Sequence, residues 1–193
     1  MHDSASITTR LNATSMEHKA FDFYGTYNLD LNNVGTFRLG LNATFVDSYK
    51  YDLGEGLPKG DAAGSQNEQL IDIPPIPEWR VTGTLNWFLG NHSAMLRVRW
   101  VDDFLLSFNS SGLQAAQEAF RGTNKAGDIT YTDISYTYAF QGLLGSDRAT
   151  IFEVGGRNIF DEFPAVQLNL GGIESFVHDI RGAMWYLRLK QDI

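Results

Sequence analysis

The 193-residue chain contains no cysteine, which excludes disulfide bridges, thiolate metal sites and cysteine nucleophiles. Long apolar runs are missing as well. None reaches the roughly 18–20 residues that a membrane-crossing helix needs, so a helical membrane protein is excluded. Basic residues are few: 15 Lys and Arg stand against 23 Asp and Glu, a formal net charge of −8. That balance argues against nucleic acid as a partner, because phosphate binding needs clustered cations. Proline occurs only 5 times. The opening MHDSASITTR does not read as a secretory leader, so an exported protein is expected to begin upstream of Met1.

What is present is alternation. Aromatics make up 13% of the chain and glycine contributes 19 residues, a profile that favours strands joined by glycine-bearing turns. Phe21, Phe23, Gly25, Tyr27 and Leu29 alternate with Asp22, Tyr24, Thr26, Asn28 and Asp30. The same period of two recurs in GTFRLGLNATFVDSYKY, EWRVTGTLNWFL, SAMLRVRWVDDF, around Ile134–Phe140, over 149–160 and in the closing stretch around Trp185–Leu189. About seven strands and no convincing helix are expected.

Strand length and loop length then separate the all-β architectures. The alternating segments run to about 12–17 residues, whereas soluble strands cluster near 5–6. A tilted strand that crosses a bilayer needs about 9–11. Connections 30–34, 89–93 and 141–148 are short, while 53–75, 107–127 and 162–178 are long. In an antiparallel meander, alternate connections lie at opposite ends, so all long loops gather at one end, as in outer-membrane barrels. The expected fold class is all-β: an antiparallel transmembrane β-barrel segment of about seven long meander strands.

On this reading the apolar faces (Phe37/Leu39/Leu41, Val81/Leu85) meet acyl chains, and outer-membrane lipid is a partner. The opposite faces line a wet lumen, because a charge at the lipid-facing midplane costs about 2–4 kcal/mol. Lumen-facing candidates are Arg38, Arg80, Arg97, Arg99, Asp133, Glu153 and Arg157. Tyr49, Tyr51, Trp79, Trp87, Phe104 and Phe160 fall near strand ends, the place of interfacial girdles.

Several segments also carry a resemblance. VGGRNIFDEFPAV (154–166) resembles the GxxNLFDxxPP segment of TonB-dependent outer-membrane receptors. EHKAFDFYGTYNLD, PPIPEWRVTGTLNW, ITYTDISYTYAF and the closing DIRGAMWYLRLKQDI are similar to further strands of that family, in the same order. The resemblance covers about residues 16–193. It departs at Ala20, where glycine is usual, and at Gln191 and Ile193, where the family favours aromatics. It implies that residues 1–193 form the C-terminal third of a 22-stranded barrel, whose N-terminal plug and remaining strands are absent here. It further implies partners: the TonB complex, reached through the missing N-terminal region, and the barrel-assembly machinery, which reads the last strand. The implied function is energised import of a scarce nutrient (an iron chelate, cobalamin or glycan) across the outer membrane of a Gram-negative bacterium, with no catalysis and no cofactor.

Catalytic and metal motifs are weak by comparison. His2, His18, His92 and His178 lack metal-ligand spacing and read as solvated surface. Ser175 and His178 lie close in sequence but lack an oriented third group. Asp102/Asp103 and Asp161/Glu162 sit at strand ends, where turn or lumen roles are expected. GLPKGDAAG lacks phosphate-loop spacing. Two other architectures stay open. One is a complete eight-stranded barrel with residues 4–14 as the extra strand, either structural or a rim hydrolase. The other is a soluble β-sandwich or lipocalin-like binder.

Overall fold

The structure is a computed structural model that describes residues 15–56, 59–66, 74–106, 111–141, 149–166 and 177–191. It is mostly antiparallel β-sheet. Eight strands form one sheet: β1 (Ser15–Asp30), β2 (Thr36–Asp52), β3 (Lys59–Asp61), β4 (Trp79–Leu89), β5 (His92–Val101), β6 (Ile129–Gln141), β7 (Ala149–Arg157) and β8 (Met184–Gln191). The order is β1-β2-β4-β5-β6-β7-β8, and the three-residue β3 extends the far end of β2. Every pairing is antiparallel, and β1 and β8 are the two edges of an open sheet.

Turn chemistry sets the short end. The β1–β2 connection tightens into a 3-10 turn, Asn32–Val34, with Asn32 at φ 46° and Gly35 at φ 104°. Leu89 pairs directly with His92, leaving Gly90-Asn91 as a two-residue loop. Gly90 supplies the positive φ (56°) that such a loop asks of its first central residue. On the long strands the register slips once, at Lys19/Ala20, where Asp47 is passed over between Val46 and Ser48. Such a bulge increases local twist.

The core does not lie across the sheet. Most of its buried apolar residues gather at the end with the long connections: Tyr51, Ala62, Val101, Phe104, Leu106, Ile129 and Tyr131. Backbone bonds stitch those connections together. Gly64 N–H donates to Ile76 O (2.7 Å), Leu105 N–H to Gly64 O (2.9 Å) and Leu106 N–H to Asn124 O (2.8 Å). Tyr51 and Phe104 are therefore interior residues of this cap rather than members of an exposed girdle. Phe104 lies past the end of β5, and Tyr51 lies in β2 beyond the bulge at Asp47, where the alternation shifts by one residue.

One helix corrects the all-strand expectation. Residues Ser111–Arg121 form α1, inside the segment read from sequence as loop 107–127. Its Gln-Ala-Ala-Gln-Glu-Ala run is a good helix former. Gly122, at φ 78°, closes it by donating its N–H to Glu118 O at 2.7 Å.

Candidate functional site: the polar face and its rim

Cross-strand register decides which side chains share a face. Arg38 stands opposite Asn86, and Thr44 opposite Arg80. Thr82 faces Arg99 and Thr84 faces Arg97. Arg97 faces Asp133, and Ser135 and Thr137 face Gly155 and Glu153. Arg157 lies two positions further along β7. All seven candidates therefore fall on one face of the sheet. The opposite face carries Phe37, Leu39, Leu41, Val81, Leu85, Leu96 and Val98.

The structure brings three of the seven into one cluster. Asp133 is almost fully buried at 1% exposure. Arg97 directs both Nε (2.9 Å) and Nη2 (2.7 Å) at its Oδ2. Arg99 Nη2 reaches Oδ1 at 3.3 Å, and the backbone N–H of Asn158 donates to the same oxygen at 2.9 Å. Charge-assisted bonds of this kind are the stronger class. Arg99 also lies over the Tyr131 ring, 5.2 Å from its centroid. Asp133 offsets one of the two guanidinium charges it meets, and Asp179 lies within electrostatic reach of Arg99.

Asn158 carries that cluster into the long connection after β7. It is buried, at φ 48°. Its amide donates to Glu162 O (2.8 Å) and accepts the Glu162 N–H (3.0 Å). Asp161, also left-handed at φ 58°, donates its N–H to Asn158 O (2.9 Å), and its Oδ1 accepts the Ala183 N–H (2.7 Å). The Asn158-Ile159-Phe160-Asp161 run is thus a built corner, in which Asn and Asp tolerate the left-handed backbone. Asp161 has the turn role expected of it. Asp103 instead pairs with Lys125 at 2.7 Å, which holds the Lys125 ammonium above its usual pKa.

A second cluster forms on β7 and β8. Glu153 accepts the Tyr186 hydroxyl at 2.7 Å and Arg188 Nη1 at 3.0 Å. Tyr186 and Arg188 do not appear among the sequence candidates. Alternation puts both on the polar face, and the signal that could have found them is the bare Gly155 opposite Tyr186. The other candidates stay apart. Arg38 donates to Asn28 Oδ1 (3.1 Å) and lies over Phe88. Arg80 reaches Pro75 O at 3.5 Å. Arg157 stands opposite Met184.

At the rim, His178 corrects its surface reading. It is buried, stacked on Phe104 with ring centroids 5.8 Å apart and tilted against Tyr131 at 6.5 Å. Burial first, and the Arg80 charge second, push its imidazole down to about 4. Asp179 next to it is held below the usual carboxylate range by its bonds from Arg181 (Nε 2.9 Å, Nη2 2.9 Å). His92 also departs from a solvated turn: it opens β5, bonds the Tyr136 hydroxyl at 2.5 Å and packs on Tyr138. Ser175, the proposed companion of His178, lies outside the described residues, as does His2. Among the described residues, no three His, Asp or Glu side chains are grouped to hold a metal ion.

Two arginine–carboxylate clusters on a wall, with a stitched cap at one end, can bind and orient polar solutes. No nucleophile–base pair appears among these contacts. No family model, curated protein or solved structure matches the chain.

Proposed function

We propose that this chain is a closing portion of an outer-membrane β-barrel, and that the intact protein imports a scarce nutrient with TonB-derived energy. The nutrient class is an iron chelate, cobalamin or glycan. On this reading the missing partners are a plug domain, the remaining strands, the TonB complex and the assembly machinery, and the site is the outer membrane of a Gram-negative cell. The resemblance of residues 154–166 and 179–193 to the receptor family names the transporter. The physics supports the barrel.

The observation that carries the barrel reading is the arrangement of the apolar face. Phe23, Phe45 and Trp79 stack at one level, with Phe45 and Trp79 centroids 4.6 Å apart. Trp87, His92 and Tyr138 gather at another. Between them stand Leu39, Leu41, Leu85, Leu96 and Val98, without a charge. Trp79 and Trp87 are eight residues apart on β4, about 27 Å of strand at roughly 3.4 Å per residue. Tilted by about 35–45°, that spacing spans about 19–22 Å, close to the height of an apolar band of about 25 Å flanked by aromatic girdles. In water the same face would expose Leu187 at 68% and Leu41 at 51%, patches typical of a surface that meets something apolar.

Strand direction supports further polypeptide. Six successive antiparallel pairings leave β1 and β8 running the same way. Antiparallel closure therefore takes an odd number of added strands. A complete eight-stranded barrel meets that count too, with residues 4–14 as the added strand, and those residues lie outside the described ones.

The test is the reading frame upstream of Met1. A continuation encoding a plug and further alternating strands is expected; a stop codon immediately ahead would overturn the transporter. Independently, the chain alone is expected not to form a monomeric heat-modifiable barrel in detergent.

A further inference from the structure

Every inward-facing acid on the interior strands of this sheet stands directly opposite an arginine on the next strand. Asp133 faces Arg97, and Glu153 faces Arg188. Both pairs are closed, at 2.7 and 3.0 Å. The edge strand β1 breaks the pattern. Its inward acids, Asp22 and Asp30, stand opposite Thr44 and Thr36 on β2. Asp22 accepts the Thr44 hydroxyl at 2.6 Å, and Asp30 accepts the Asn32 N–H at 3.1 Å. Among the described residues neither has a cation partner.

We infer that the open edge of β1 is covered by an antiparallel strand from a further segment of polypeptide, and that this strand carries Arg or Lys opposite Asp22 and Asp30. This rests on the membrane-barrel reading, because in hydrocarbon an open edge leaves a row of backbone groups that lipid cannot satisfy. The two acids lie eight positions apart, so the partner's cations sit eight positions apart as well, about 27 Å along the strand. Its other face is apolar, continuing Phe21, Phe23, Tyr27 and Leu29.

Two nearer occupants are excluded by geometry. The basic edge β8 runs parallel to β1, and a direct seam would close only seven long strands, fewer than the eight of the smallest such barrels. A second copy pairing β1 with β1 about Thr26 would set Asp22 against Asp30, a like-charge juxtaposition that destabilises a sheet. It would also place the two sets of long connections on opposite sides of the membrane.

The absence of cysteine makes the test direct. The Thr26→Cys chain is refolded in detergent micelles with synthetic strands that alternate apolar and polar residues. Each strand carries a cysteine opposite position 26 and Arg, Gln or Glu at the two positions facing Asp22 and Asp30. Disulfide-linked yield is expected in the order Arg, Gln, Glu, with roughly three- to tenfold between the extremes. The order should vanish in the Asp22→Asn/Asp30→Asn background. A sheet in micelles with no charge ranking, or with the ranking kept in that background, overturns the inference and leaves the barrel reading standing. A sheet that forms fully in water without detergent overturns both, as does failure to form a sheet in either medium with the Arg strand present.

Discussion

Gly155 on β7 and Tyr186 on β8 stand directly opposite each other, and a Cβ on Gly155 would lie 2.5 Å from the ring's Cζ and hydroxyl oxygen. The missing side chain is what lets the tyrosine lie across β7 and donate to Glu153. Gly155→Ala is therefore expected to displace the ring, break that bond and lower stability by about 1–3 kcal/mol, the range for overpacking. Gly25→Ala is the control, since nothing lies within 4 Å of its Cβ position. Urea midpoints in micelles, with the Arg-bearing strand present to cover β1, check the pair, and equal midpoints would sink the account.

Asp133 collects Arg97, Arg99 and the Asn158 N–H, so its removal strands four donor groups from three residues at once. Asp133→Ala is expected to cost about 3 kcal/mol, the low end for breaking a buried pair because both arginines are partly exposed. The same loss frees the corner at Asn158–Asp161. Trypsin should then cut after Arg181 faster in the variant, while cutting elsewhere in the sheet keeps its order.

The strands and their faces were legible because alternation is a direct projection of the pleat: Leu39, Leu85 and Leu96 each fall on the apolar face of their own strand, and register follows from the turns. The corner at 158–161 was legible as an end of strand, but not as a bond to Asp133, since residues 25 apart in sequence leave no periodic trace. The misses share one cause. Tyr51, Phe104 and His178 are buried by connections folding over one another, and α1 sits in such a connection. There, tertiary packing decides burial, and composition alone reads as polar loop. Alternation puts Tyr186 and Arg188 on the polar face, but only the bare Gly155 opposite reveals that the tyrosine crosses to Glu153.

His178 gives a pH dependence of definite sign. Its folded pKa of about 4 lies below the ordinary 6.5, so the unfolded chain binds more protons between those values. Stability is then full above about 6.5 and falls as pH drops towards 4, by on the order of 2 kcal/mol. His178→Phe keeps a ring against Phe104 and is expected to flatten this part of the profile. Denaturant midpoints at pH 7.5 and 4.5 for both chains isolate the histidine from the carboxylates that titrate alongside it. A parallel decline in the two would refute the assignment.

The two faces of β5 offer the sharpest test of what the sheet meets. Leu96 lies between Leu85 and Ile134 on the apolar face, midway between His92 and Trp100. Its neighbour Met95 points the other way, opposite Asn86 and Ser135, with no cation across from it. An arginine near the bilayer midplane costs about 2–4 kcal/mol when it faces lipid and far less when it faces a wet lumen. With the Arg-bearing strand present to cover β1, Leu96→Arg is therefore expected to lower the folded fraction in lipid vesicles by tenfold or more, with Met95→Arg close to the parent. If the sheet instead packed its leucines against another protein layer in water, vesicles would make no difference to the ranking. Measuring both substitutions with and without lipid separates those cases, because only a lipid-facing Leu96 makes the penalty depend on the bilayer itself.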